Sequence, residues 1–177
     1  IGLSFNSPKV TATLALFNRK AKNLIDYVKN NNEDSIPFKA ENIQEINTRG
    51  IDFELTHRIL VKNLTHEFKL SYSYLENDLV NSGYNFSRYS INNDLKHHFI
   101  FNYQLPINKD LGVYVVHKFI ERNSGYTYSV VDASARWILK RLEVSVYFNN
   151  IFNTEYWESN LVPMPKGNGL FGLRYSF

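Results

Sequence analysis

Asp52 and Glu54 alternate with Ile51 and Phe53. On an extended backbone the two carboxylates share a face, about 6.5–7 Å apart. That separation suits a glycosidase pair, but Arg58 falls in phase with them and makes a structural ion network the better reading. His97 and His98 are adjacent, and neighbours on a strand point to opposite faces, so they cannot hold one ion together. His57, His66 and His117 are isolated, without metal-ligand spacing. No Ser stands in a Gly-x-Ser-x-Gly context and no phosphate loop is present. Cysteine is absent, which removes thiolate ligands, disulfides and a cysteine nucleophile. The expectation is a protein that is not an enzyme and carries no metal and no cofactor.

Aromatic and basic residues are the better lead. Residues 77–93 carry Tyr84, Phe86, Arg88 and Tyr89; residues 122–128 carry Arg122, Tyr126 and Tyr128; residues 153–167 carry Tyr156, Trp157 and Met164. Rings on loops stack on planar or sugar-like ligands, and arginines meet anions. Tyr84, Arg88, Tyr89, Arg122, Tyr126, Tyr156 and Trp157 are the candidate ligand contacts. An aromatic girdle, or packing of loop on loop, is the alternative use of the same residues.

The segments between these loops must position them, and they alternate at period two. Phe171, Leu173, Tyr175 and Phe177 oppose Gly172, Arg174 and Ser176; Leu142, Val144, Val146 and Phe148 oppose Arg141, Glu143, Ser145 and Tyr147. Val131, Ala133, Ala135 and Trp137 oppose Asp132, Ser134 and Arg136, and the same holds around Phe99–Leu105, Phe68–Tyr74 and Ile51–Ile59. Residues 109–121 mix the faces, and residues 10–28 alternate only in their first half. The pattern predicts about eight strands, each long enough for the roughly 9–11 residues of a tilted membrane strand. Connections alternate in length: long at 29–38, 77–93 and 153–167 and moderate at 122–127, short at 59–63, 106–110 and 140–141. Aromatics collect near strand ends (Tyr103, Trp137, Tyr175, Phe177), and the polar faces carry both signs of charge, with Asp52, Glu54 and Arg58, or Asp132 and Arg136, placed to pair across strands.

Composition agrees. The chain has 177 residues, 15% aromatic and 21% charged, with a formal charge of +3. That charge is too small and too mixed to argue for nucleic acid. The longest stretch free of Asp, Glu, Lys and Arg, His97–Asn108, is 12 residues, against roughly 20 for a spanning helix. No signal peptide opens the chain, and the start at Ile1 reads as a mature or cut-down product. The fold class expected is all-β: an antiparallel up-and-down transmembrane β-barrel, with a soluble β-sandwich that binds carbohydrate as the alternative.

Four elements in order carry a resemblance. They are Phe17-Asn-Arg-Lys-Ala-Lys-Asn23-Leu-Ile25-Asp-Tyr27; Asn47-Thr-Arg-Gly50-Ile-Asp-Phe-Glu54; Val146-Tyr-Phe-Asn149-Asn150-Ile-Phe152-Asn153-Thr-Glu-Tyr156-Trp157 with Val162-Pro-Met-Pro165-Lys-Gly167; and Gly172-Leu-Arg-Tyr175-Ser-Phe177. Together they resemble the C-terminal barrel portion of TonB-dependent outer-membrane receptors of the cobalamin and iron-chelate type. Lys166 and Asn168 depart from that family's pattern, as does Asp52 where Glu is commoner. The resemblance implies that residues 1–177 are about the last eight strands of a 22-stranded barrel, with 1–6 the stub of a preceding strand and the plug domain absent. It implies a multi-pass protein of the Gram-negative outer membrane that takes up an iron-siderophore or cobalamin. Its implied partners are the TonB system through the missing plug, lipid and lipopolysaccharide, and the barrel-assembly machinery, which would read Gly172, Tyr175 and Phe177 as the insertion signal. Arg58, Lys69, Arg136 and Arg174 are the lumen residues expected to face the plug. A small autonomous eight-stranded outer-membrane protein, adhesive or structural, is the competing reading.

Overall fold

β-branched and aromatic residues on one phase and polar residues on the other specify strands with two unlike faces. The computed structural model builds the chain from such strands and describes residues 1–29, 35, 37–80, 86–87, 95–158 and 162–177. They are β1 Gly2–Asn6, β2 Val10–Lys29, β3 Lys39–Val61, β4 Leu64–Val80, β5 Phe86–Ser87, β6 Leu95–Pro106, β7 Leu111–Arg122, β8 Thr127–Leu139, β9 Leu142–Asn149 and β10 Asn168–Tyr175. All lie in one antiparallel sheet in the order β1-β2-β3-β4-β6-β7-β8-β9-β10, with the two-residue β5 set aside against Val28 and Lys29 of β2. The eight long strands are those the alternation predicted; β1 lies where the resemblance implied the stub of a strand, and β5 was not foreseen. Among the described residues no pairing joins β1 to β10, so both remain sheet edges.

Short connections gather at one end of the sheet. Lys62 and Asn63 both adopt positive φ (48° and 62°), the type I′ geometry whose twist matches a two-residue hairpin. Lys140 (φ 55°) opens the equally tight turn between Leu139 and Leu142. Asn108 Oδ1 accepts the backbone N–H groups of Asp110 and Leu111, each at 2.8 Å, closing the turn after Pro106 as an Asx turn.

Register keeps the two phases apart across the sheet. Phe68, Tyr103, Val115, Ala133 and Phe148 form one apolar row, and Val113, Ala135, Val146 and Phe171 another. On the opposite face Tyr114, Ser134 and Tyr147 share a row. The apolar face is left open: Trp137, Phe148, Phe171, Leu173 and Tyr175 are all exposed, an area far beyond what a soluble surface usually shows. Three of its histidines are partnered. His66 Nδ1 meets Tyr103 Oη at 2.9 Å, His97 Nδ1 meets Tyr72 Oη at 2.8 Å, and His117 Nε2 meets Ser129 Oγ at 2.7 Å, as polar groups on a lipid-facing surface require. His98 points to the polar face, in register with Ser73 and Ile120.

β2, β3 and β4 run well past this apolar band. Beyond the row Leu16–Ile51–Tyr74, the positions in phase with it become Asn18, Lys20, Arg49, Asn47 and Glu76, and Lys20 pairs with Glu45. The apolar residues change sides: Ile46 is buried with Val28 and Leu24 in a small core at the long-loop end. This explains why residues 10–28 alternate only in their first half; Asn23 (φ 58°) interrupts the pleat. It also explains why β4 continues to Val80, into residues expected to be loop: Glu45–Thr48 of β3 offer it a partner. Phe17 lays its ring over Gly50, whose Cβ, if present, would lie 2.3 Å from the ring. The glycine accepts the ring and the ring covers the glycine. Gly50→Ala should therefore destabilise the wall by about 1–3 kcal/mol, and Phe17→Ala in the same chain should remove most of that penalty. Urea unfolding of the four variants in detergent measures the coupling; equal penalties with and without the ring would contradict it.

Candidate functional site

The connection between β9 and β10 is built around one side chain. Asn150 is buried with φ 50°, a left-handed conformation that Asn tolerates better than most residues. Its backbone N–H donates to Asp132 Oδ1 at 2.7 Å, and its Nδ2 donates to Thr154 O at 2.8 Å and Pro165 O at 3.4 Å. Its Oδ1 accepts the Thr154 N–H at 2.8 Å. Asn153, also at positive φ, accepts the Gly167 N–H at 2.9 Å. Gly167 is required there, since a Cβ would sit 2.9 Å from Asn150 O. The Asn-Asn-Ile-Phe-Asn sequence thus ties both ends of this connection to β8.

From that base a tongue folds back onto the long-loop end of β7 and β8. Trp157 bridges to Pro163, and the Met164 N–H donates to Tyr156 O at 2.9 Å. The Trp157 ring stacks on Tyr126 at 4.3 Å and 8°, and Tyr156 stacks on Tyr128 at 4.7 Å. Arg122, buried at the end of β7, donates from Nη2 to Glu158 O at 2.5 Å. Beneath lie Ile120, Tyr128 and Val130, all buried, with Leu95 against them. Four predicted ligand contacts, Arg122, Tyr126, Tyr156 and Trp157, are therefore brought together. Tyr84, Arg88 and Tyr89 lie outside the described residues. Asn150 and Asp132, which position the tongue, were not foreseen as site residues; the signal for Asn150 was its place in the Asn-rich motif.

Burial pushes the Tyr156 phenol above its ordinary pKa, with Glu158 adding to the effect. Lys166 Nζ, 2.5 Å from Glu155 Oε1, holds that carboxyl below its ordinary pKa.

The polar face carries the other predicted residues, and Arg58 and Asp132 find ionic partners on the neighbouring strands. Arg58 does not turn to Asp52 or Glu54; its Nε lies 2.6 Å from Glu67 Oε2, across the β3–β4 register. Lys69 joins the same carboxylate at 3.1 Å. Asp132 and Arg136 stand four residues apart on β8, about 13 Å by strand rise, and Asp132 instead accepts the Asn150 N–H and lies 4.0 Å from Lys118 of β7. Asp52 and Glu54 instead open on a cavity of about 410 Å³ floored by Thr13, Ala15, Ser71 and Ser73. Arg174 stands opposite Glu143 in register. Gly172 packs under Ser145, whose hydroxyl donates to Gly172 O at 3.4 Å; a Cβ on Gly172 would lie 2.6 Å from Ser145 Oγ. Tyr175 and Phe177 meet edge to face at 5.2 Å.

Long strands with one lipid-type face, one polar face and connections that alternate in length define the wall of a membrane β-barrel. The family model described as "TonB dependent receptor-like, beta-barrel" matches residues 1–151, and the chain belongs to that family as a piece of its barrel. No curated protein sequence matches. Among solved structures, the siderophore receptor PiuA from Acinetobacter baumannii superposes with a TM-score of 0.71 at 16% identity, over 98% of this chain and 27% of that one. The copper transporter OprC gives 0.73 at 13% identity, over 99% and 30%. The FrpB iron transporter from Neisseria meningitidis (F3-3 variant) gives 0.66 at 17%, over 99% and 30%. At such identities the likeness is one of fold, and the chain spans under a third of the length of each.

Two outcomes follow for the tongue. Asn150→Ala removes three side-chain hydrogen bonds and places Ala at positive φ; each bond contributes about 1 kcal/mol and the conformation costs about 1–2 kcal/mol. Limited proteolysis should cut residues 153–167 at least tenfold faster, and an unchanged rate would deny Asn150 its anchoring role. The pH dependence has a definite sign at each end. The raised Tyr156 pKa means that docking is at full strength below the unfolded phenol value, about 10, and weakens as pH rises through the folded one. The lowered Glu155 pKa means that its contribution is present above the unfolded carboxyl value, about 4.3, and fades as pH falls through the folded one. With Trp137→Phe leaving Trp157 as the chain's one tryptophan, its fluorescence should hold a plateau between those limits and change outside them; a monotonic drift across the plateau would contradict this.

Proposed function

We propose that residues 1–177 are the C-terminal part of the barrel of an outer-membrane receptor that takes up a scarce nutrient with energy delivered through TonB. β1 is then the stub of a preceding strand, and the plug lies in sequence outside this stretch. The substrate class we favour is an iron-siderophore, with cobalamin as the other member of the class. Family membership over residues 1–151 carries the reading. It is supported by structural neighbours named as a siderophore receptor, an iron transporter and a copper transporter, and by the exposed apolar face, which suits lipid and the lipid part of lipopolysaccharide.

In this reading the short turns face the periplasm and the tongue faces outward. Arg122, Tyr126, Tyr156 and Trp157 then form the base of the ligand-facing rim, to which Tyr84, Arg88 and Tyr89 would add. The buried contacts of Arg122 suit a role in holding the tongue, while Tyr126 and Trp157 offer ring surface. Arg58, Lys69, Arg136 and Arg174 line the lumen. Gly172, Tyr175 and Phe177 form the terminal signal read by the barrel-assembly machinery. The protein acts as a receptor and conveys its ligand unchanged.

The intact protein, isolated from the outer-membrane fraction of its native cell, should be about three to four times as long as this chain, the ratio set by the solved structures it matches. Cells that depend on it should lose uptake of labelled ferric siderophore when TonB is deleted. A mature protein of 177 residues, or uptake indifferent to TonB, would overturn the reading; uptake of cobalamin instead would move the substrate within the class.

A further inference from the structure

The short-turn end of the sheet carries charge out of proportion to its length. Lys9 stands in the connection between β1 and β2, Lys62 between β3 and β4, Lys109 beside Asp110 between β6 and β7, and Lys140 and Arg141 between β8 and β9. All five cations are exposed, and among the described residues none of them has a carboxylate within 4.0 Å. Asp110 is the one acidic residue in these four turns, so they hold five positive charges against one negative, a net +4, in a chain whose whole formal charge is +3. In sheet order the turns join successive pairs of strands, so neighbouring turns stand two strands, roughly 10 Å, apart. That is about one Debye length at physiological ionic strength, and the four potentials merge into one basic rim.

The apolar face reaches this rim without a gap. Phe5 precedes Lys9, Val61 precedes Lys62, Ile107 precedes Lys109 and Leu139 precedes Lys140, and all four apolar residues are exposed, as is Trp137 just above the last turn. Phe5, Val61, Trp137 and Leu139 lie on the phase of the apolar rows. Lysine and arginine stems run along such a surface and carry their charge to its border. A border that is apolar on one side and cationic on the other complements an amphiphile with an anionic head, and basic clusters beside a membrane span draw anionic headgroups to them. We infer that this rim selects anionic phospholipids from the leaflet it meets, with the headgroup against the turn cations and the acyl chain against Val61, Trp137 and Leu139. The inference rests on the reading of the sheet as the wall of a membrane barrel; it adds which lipid the wall prefers and which residues choose it. The spread of the cations favours a leaflet over an acidic protein: they are distributed over four turns, one per hairpin, instead of gathered in one patch, and every turn borders an apolar side chain.

The test uses the intact receptor in phosphatidylcholine bilayers with a trace of spin-labelled phosphatidylglycerol or spin-labelled phosphatidylcholine. Electron spin resonance compares the motionally restricted fraction of the two. At low salt phosphatidylglycerol should associate at least about threefold more strongly, and the ratio should fall toward one in about 1 M salt, where the Debye length is about 3 Å. Changing Lys9, Lys62, Lys109, Lys140 and Arg141 to Gln should remove most of the preference, while changing the four lysines to Arg should keep it. Lys140→Gln with Arg141→Gln, confined to one turn, should already lower the ratio, so a five-site variant that does not assemble leaves the test intact. Equal association of the two lipids with the unaltered protein, or a preference indifferent to these charges, would overturn the inference. So would a benzophenone amino acid in place of Asn63 that cross-links in cells to an acidic protein and not to lipid. If the receptor restricts lipid but without regard to headgroup, only this inference fails; if it restricts no lipid at all, the reading of the chain as a membrane wall fails with it.

Discussion

Every backbone N–H and C=O in a membrane wall must find its partner inside the wall, because hydrocarbon offers none. Antiparallel strands in a continuous sheet meet that demand, and nearly everything else in this chain follows from it. Strands pair with their sequence neighbours in the simplest order. Side chains are then free to differ completely between faces, since neither face is needed to satisfy the backbone. Among the described residues there is consequently little core: the few buried ones sit at the long-loop end, where strands leave the apolar band.

That placement separates two kinds of polar organisation. Within the band, His66, His97 and His117 on the apolar face form closed pairs with tyrosine or serine. Beyond it, polar groups organise backbone. Asn150 is the clearest case, since one amide ties a turn, a strand and the far end of a loop together. The aromatic pairs Tyr126–Trp157 and Tyr128–Tyr156 add area rather than direction, and they rest on a foundation the asparagines set.

The polar face is uneven in charge, and the unevenness is informative. A carboxylate between two cations, as at Glu67, is an internal solution that asks for no partner. An acidic cavity over Asp52 and Glu54, and an arginine over glycine and serine at Arg136, are open at opposite parts of the wall. Both have small residues as floors.

How much of this the sequence carried depends on the range of the interaction. Strand existence, face assignment and the short turns were determined by period-two alternation and turn chemistry, which are local: Phe171 to Phe177 and Lys140-Arg141 could be read directly. The family too was legible, because its motifs are short and ordered. What the tertiary structure alone decided was partnership. Arg58 choosing Glu67 over Asp52, Asp132 holding the Asn150 amide, and the tongue reaching back to Tyr126 all depend on which strand lies beside which and in what register. The alternation of one strand is silent on register against the next; a shift by two residues would keep every side chain on its face and change every partner. The long ascending strands beyond the membrane were misjudged for the same reason: outside lipid the rule that paired apolarity with one face no longer holds, and only the neighbouring strand fixes how far each one runs.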